Sequence, residues 1–187
     1  MDKRNLFLTV LGLTLILLSS CTSVPPAQQT TTPGPTNTPQ AVRLLKPAGS
    51  IPASCTPTPV YLGQNEPVPG VPWIAAMPSS SGFTGYLFFA RPTPADKPEY
   101  YEPMHTNGMM PDGASTKILW VIDNASTTGE ITVTGKSLSL PRSTFQQTFG
   151  DGSNGIPSIV DVPTAGCWHF DLQSGSGQAT AIFWVLP

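Results

Sequence analysis

Charge is what this sequence has least of. Asp, Glu, Lys and Arg make up 11% of its 187 residues, and 9 basic against 11 acidic side chains leave a formal net charge of -2. With no basic patch to neutralise phosphates, a nucleic-acid partner is excluded, and the same neutrality removes any polybasic contact with a membrane surface. Histidine is scarce too. His105 and His169 are the 2 in the chain, so a serine-type triad has little choice of base, and no Gly-x-Ser-x-Gly elbow accompanies them. The few acidic residues form no distinctive pair of the kind that glycoside hydrolysis needs. The apolar stretch at 6–18 falls short of the roughly 20 residues that a helix needs to cross hydrocarbon. Nor is there a sustained helical period, because the 22 prolines interrupt most windows long enough to hold a helix. These absences weigh against an enzyme and leave short strands between turns.

What is present begins with Lys3 and Arg4, the apolar stretch at 6–18, and Leu18-Ser19-Ser20-Cys21. A basic start, a short apolar core and small residues before a cleavage point are the parts of an export signal. The last four residues resemble the lipobox that lipoprotein signal peptidase cuts before its cysteine. That resemblance implies that 1–20 is removed and that Cys21 becomes the first mature residue, carrying a diacylglyceryl thioether and an N-acyl chain such as palmitate. One acyl chain holds a protein marginally, whereas two or more anchor it stably. The expected location is therefore the cell membrane, with membrane lipid as the partner of acylated Cys21 and the rest of the chain on the extracytoplasmic side. From 22 to about 41 the sequence is Pro, Thr, Gln, Ser and Asn with no charge, which cannot bury enough surface to offset ordering. Polyproline II geometry at about 3.1 Å per residue gives this stretch a reach of roughly 60 Å. Residues 21–44 are read as lipidated cysteine and tether, and 45–187 as the folded domain. Lipidation of Cys21 leaves Cys55 and Cys167 as an even pair in an oxidising compartment, which predicts a disulfide between them.

Strands are expected at 117–122, 130–138, 144–149, 158–162, 166–172 and 178–186, with two more at 71–77 and 83–90. Turn-forming sequences rich in Gly, Ser, Asn and Pro separate them. Within 166–172, alternation puts Trp168, Phe170 and Leu172 on the core face and Cys167, His169 and Asp171 on the other. Ser174-Gly175-Ser176-Gly177 then turns the chain into a closing hairpin. About eight strands at this spacing predict an all-β fold, an antiparallel sandwich of about seven to nine strands. The segment 90–115 lacks a strand pattern and reads as a long loop, the kind of segment in which function concentrates.

Pro111-Asp112-Gly113, Lys117-Ile118-Leu119-Trp120, Gly129 to Gly135 and Pro163-Thr164-Ala165-Gly166-Cys167-Trp168 together resemble a family of uncharacterised bacterial extracytoplasmic lipoproteins with an Ig-like C-terminal domain. The resemblance covers roughly the last 80 residues and, more loosely, the region of Cys55. It implies an Ig-like sandwich and the Cys55–Cys167 disulfide, and carries no activity, substrate or catalytic residue.

Three groups of residues are candidates for a site. Tyr100 and Tyr101, beside Glu99 and Glu102, offer an aromatic platform for a glycan or an envelope protein, with His105 close by; the other outcome is that they fold over an edge of the sandwich. Met104, His105, Met109 and Met110, with His169, define an alternative reading as a copper-binding protein, because thioether and imidazole are copper ligands. Against it, Cys167-Trp168-His169 is too tightly spaced for a blue-copper site and Cys167 is expected to be oxidised, so no metal or other cofactor is favoured, and adaptable methionines packing the loop are the simpler account. His169-Phe170-Asp171 places a histidine and an acid on one face, as solvated or hydrogen-bonded pairs often do. Asp151-Gly152-Ser153-Asn154-Gly155 lacks the later acidic ligand of an EF-hand and is read as a turn. The favoured function is a membrane-anchored, non-enzymatic binding or envelope-organising protein acting through the 90–115 segment.

Overall fold

Turn residues and period-two alternation divide the chain into short strands. The computed structural model describes residues 41–64, 68–92, 97–123, 129–150 and 155–187. The expected signal, Cys21, the tether up to residue 40 and most of the turns at 124–129 and 151–155 lie outside the described residues. In chain order the strands are β1 (Arg43–Pro47), β2 (Val60–Leu62), β3 (Trp73–Ala75), β4 (Phe83–Leu87), β5 (Tyr100–Tyr101), β6 (Met104–His105), β7 (Lys117–Ile122), β8 (Glu130–Ser137), β9 (Thr144–Gly150), β10 (Gly155–Ile159), β11 (Gly166–Ser174) and β12 (Gly177–Leu186). They form two sheets, β10-β7-β4-β3-β2-β1-β5 and β6-β12-β11-β8-β9. The result is the all-β sandwich that the sequence pattern predicts.

Alternation works as expected in the second sheet. Trp168, Phe170 and Leu172 are fully buried, whereas His169 and Asp171 stand on the opposite face. On β8 the same division separates Ile131 and Val133 from Thr132 and Thr134. β11 and β12 run antiparallel from Gly166 opposite Val185 to Ser174 opposite Gly177, and the turn between them uses Gly175 at φ 55°, a conformation that glycine adopts without a Cβ penalty. In the first sheet the Trp120 indole is buried and donates to Ser158 Oγ, which in turn donates to the Ile118 carbonyl. A buried indole N–H without a partner would cost about 1–3 kcal/mol, so Ser158 fits this position. Gly85 lies opposite Trp120 on β4, and a Cβ there would sit 2.7 Å from the ring.

The sequence reading needs correction in the first half and around 158–162. The segment 90–115 is not an unstructured loop. β5 pairs parallel with β1 in the first sheet, and β6 pairs parallel with β12 in the second. Two-residue strands flanked by Pro103 and Glu102 are too short to show a period, and the same holds for β2. β1 was hidden because Leu44 and Leu45 sit side by side between Arg43 and Lys46, which breaks alternation; Leu44 is exposed and Leu45 buried. β10 begins earlier than expected, and Val160 and Val162 leave the sheet to enter the core, where the Val160 carbonyl accepts from Thr116 Oγ1.

One edge of the second sheet is closed by three separate pieces of chain. Along the free side of β12, Met77 and Thr180 exchange main-chain hydrogen bonds of 2.8 and 2.7 Å. Next, Thr58 donates its N–H to the Ile182 carbonyl at 2.9 Å and accepts the Ile182 N–H on its hydroxyl at 2.8 Å. Last, β6 takes up Val185 and Leu186. The Cys55–Cys167 disulfide, with Cα atoms 5.7 Å apart, fastens the β1–β2 connection to β11 beside this edge. It closes a loop of 112 residues, a length that contributes about 4–5 kcal/mol in the chain-entropy account.

Because the Trp120 ring occupies the space of a Gly85 side chain, Gly85→Ala is expected to lower the unfolding free energy by about 1–3 kcal/mol. Denaturant titration against the unsubstituted protein reads the difference, and equal midpoints would contradict the packing described.

Candidate functional site

Residues 89–92 and 97–116 are held by main-chain bonds as well as by side chains. Met110 N–H donates to the Ala114 carbonyl and Thr116 N–H to the Gly108 carbonyl, while Asn107 N–H reaches the Val162 carbonyl. Asn107 at φ 59° and Gly108 at φ 68° make the turn that brings these partners together. The Asp112 carboxylate accepts the Ala114 N–H at 3.0 Å and so closes the 110–114 turn.

This folding decides the fate of the aromatic platform. Tyr101 is 6% exposed and belongs to the core, and His105 is 8% exposed; Tyr100 is half-buried. Tyr101 and His105 therefore do not present a recognition surface, and the pair packs over the sheet edge. Burial of the Tyr101 phenol pushes its pKa up to about 12 from the usual 10.0, because the charged phenolate would lose its hydration there.

His105 is engaged at both nitrogens. Nδ1 lies 2.6 Å from the Pro187 main-chain oxygen and Nε2 lies 3.1 Å from Glu102 Oε1. Both ring nitrogens thus have a polar partner within hydrogen-bond distance. The five copper-ligand candidates are also dispersed. Met104 and His105 are successive strand residues and point to opposite faces; Met104 and Met110 are in the core, while Met109 is 57% exposed. His169 lies opposite Ile182 across one side of β12, and His105 lies beside Leu186 on the other. Four residues of strand alone separate these positions by roughly 13 Å. Among the described residues no three His, Cys, Asp or Glu side chains gather as a metal-binding group.

What the segment does form is a recess of about 270 Å³. Its floor is apolar, made of Phe89, Met110 and Ala114, and its rim carries Arg91, Glu102 and Asp112. Arg91 Nη1 and Asp112 Oδ2 are 3.7 Å apart and both side chains are largely exposed, so the pair contributes little to stability. Glu102 joins this rim to the buried His105. Phe89, Arg91 and Asp112 were not among the candidates read from sequence. Arg91 and Asp112 lie within the 90–115 segment and Phe89 just before it, but Phe89 and Arg91 come from one stretch and Asp112 from another, and the fold brings the two together.

A second recess, of about 380 Å³, opens on the outer face of the second sheet, where Met77 and Pro78 stand over Asp171, Gln173, Gln178 and Thr180. Here the His169–Asp171 pair has a third member. Asp171 Oδ1 is 3.5 Å from His169 Nδ1 and Oδ2 is 3.2 Å from Lys136 Nζ, a cross-strand cluster on a solvated face. No protein-family model, curated protein or solved structure matches this sequence and fold.

The burial of Tyr101 has a sign that alkaline unfolding reads. Its folded-state pKa lies above its unfolded one, so the folded protein holds the proton longer and stability is full below pH 10. Stability then falls by up to about 1.4 kcal/mol per pH unit as pH rises toward 12. Tyr101→Phe is expected to remove this component of the slope between pH 10 and 12, measured by denaturant unfolding at each pH. An unchanged slope would contradict the assignment.

Proposed function

We propose that this chain is a lipid-anchored, extracytoplasmic, non-enzymatic binding protein of the uncharacterised lipoprotein type that its motifs resemble. Cys21 is the anchor, the stretch from 22 to about 41 is the tether, and the Ig-like sandwich carries the ligand site. The observation that carries the reading is the division of the three cysteines. Cys55 and Cys167 are joined to each other, which agrees with an oxidising compartment, and Cys21 is left directly behind an apolar stretch and two small residues. Ligand is held in the recess between Phe89, Arg91, Glu102, Met110 and Asp112, where a rim of both charge signs over an apolar floor suits a small molecule or peptide end of mixed character. A binding role rather than catalysis is supported by the setting of the two histidines, one with a polar partner at both nitrogens and the other half-buried with Nδ1 3.5 Å from Asp171.

Metabolic labelling with an alkyne analogue of palmitate is expected to mark the protein in the membrane fraction. Cys21→Ser is expected to abolish the label and release the protein from membranes, while Cys55→Ser leaves the label in place. Label retained in Cys21→Ser would refute the anchor.

A further inference from the structure

Each sheet of a sandwich ends in two strands whose outer main-chain groups have no strand neighbour, and such edges invite a further strand unless something blunts them. Three of the four edges here are blunted. β5 and β6 are two residues long, and β10 carries Pro157, which has no N–H to offer. β9 has none of these protections. Its sequence, Thr144-Phe145-Gln146-Gln147-Thr148-Phe149-Gly150, is seven residues without charge or proline. Every position on it is exposed or half-buried, and among the described residues its main chain hydrogen-bonds to β8 and to no other segment.

We propose that β9 pairs with β9 of a second copy of this chain, antiparallel about a two-fold axis through Gln147, to join two five-stranded sheets into one of ten strands. The register follows from the sequence. A two-fold at Gln147 is the one arrangement that pairs all seven residues of both strands, and it sets Phe145 opposite Phe149 of the second copy, twice. On the outer side it sets Gln146 opposite Thr148, so amide and hydroxyl face one another, while Gln147 lies opposite itself on the inner side between the phenylalanines. The two phenylalanines lie on the inner side of the strand, where Phe145 already stacks against Trp168 and Phe170 with ring centroids 5.4 and 5.3 Å apart. Charge agrees with this register. Glu130 lies opposite Gly150 and Lys136 opposite Thr144 on β8, so the row that ends in Glu130 of one copy ends in Lys136 of the other, and no like charges are brought together. Beside the edge, a recess lined by Phe149, Pro157 and Ile159 receives the incoming Phe145; Ile159 is 52% exposed in the single chain. At the inner side of the strand the Gln147 amide donates to the Asp161 carbonyl and accepts the Asp161 N–H at 3.0 and 3.1 Å, which holds the chain beyond β10 against β9 through a side chain and leaves the β9 main chain bonded to β8. A symmetric edge contact of this kind is self-complementary and closes as a dimer without open-ended growth. The pairing does not depend on the lipid anchor.

The test uses the full chain carrying Cys21→Ser, which leaves the Cys55–Cys167 disulfide as the sole cysteine background. Light scattering is expected to report a dimer, and Gln146→Lys with Thr148→Lys, which sets lysines opposite each other across the axis, is expected to raise the dimer dissociation constant at least tenfold while the circular dichroism spectrum stays the same. In the same background Gln147→Cys is expected to form a covalent dimer on oxidation, because directly opposed residues have Cα atoms about 4.5–5.5 Å apart. Thr144→Cys is expected not to, since its two copies would be about 20 Å apart. A monomeric mass for the Cys21→Ser chain would overturn the proposal, as would equal linking at 144 and 147.

Discussion

The exposed side of β12 is the constraint on which the remainder of the structure depends. A strand this apolar, Ala179-Thr180-Ala181-Ile182-Phe183-Trp184-Val185, cannot be left with unpaired main-chain groups along one side without inviting aggregation. The chain meets the demand with Thr58, Met77 and the β6 residues Met104 and His105, each arriving from a different connection of the first sheet. Every one of those connections therefore has to cross from one sheet to the other at a set height. The β1–β2 connection, the β3–β4 connection and the β5–β6 step are consequences of this single edge, and the disulfide lies where the first of them crosses.

The site at the end of the sandwich inherits its geometry from the same crossing. Because β5 belongs to the first sheet and β6 to the second, Pro103 between them spans the corner, and Glu102 is carried outward to the rim while Tyr101 and Met104 turn inward. The His105 ring then fills the corner between Glu102 and the main chain at Pro187. Its two nitrogens, 2.6 Å from the Pro187 main-chain oxygen and 3.1 Å from Glu102 Oε1, tie the rim carboxylate to the β6 corner. The mixed rim over an apolar floor is thus a by-product of closing the sandwich, and Arg91 and Asp112 form its exposed ion pair.

Much of the second sheet was legible in the sequence, because its strands are long enough to repeat. Trp168, Phe170 and Leu172, or Ile131 and Val133, alternate with polar neighbours over several turns of the pleat, and Gly175 marks the hairpin between β11 and β12. The first half was not legible for a physical reason. Strands of two or three residues, such as Val60-Tyr61-Leu62 or Tyr100-Tyr101, are created by a partner rather than by their own pattern, and their burial is a property of the assembled fold. This is why Tyr101 reads as a surface aromatic and lies in the core. The candidate site suffers most from this effect. Glu102 and His105 sit close in sequence and were noticed, whereas Phe89, Arg91 and Asp112 have no reason to be grouped until β5 and β6 have formed. The pairing of Cys55 with Cys167 was readable in advance because it rests on counting and compartment rather than on period.

The three pieces that cover β12 have a consequence for the order in which this protein can become itself. Thr58, Met77 and His105 meet partners 124, 103 and 82 residues further along the chain, and Cys55 meets one 112 residues away. Contacts so distant in sequence form late and slowly, since the intervening chain must be ordered or at least collapsed first. None of the crossings can be completed before the final strand emerges. The first half of the chain therefore waits for β11 and β12, and the two halves become ordered together rather than one after the other.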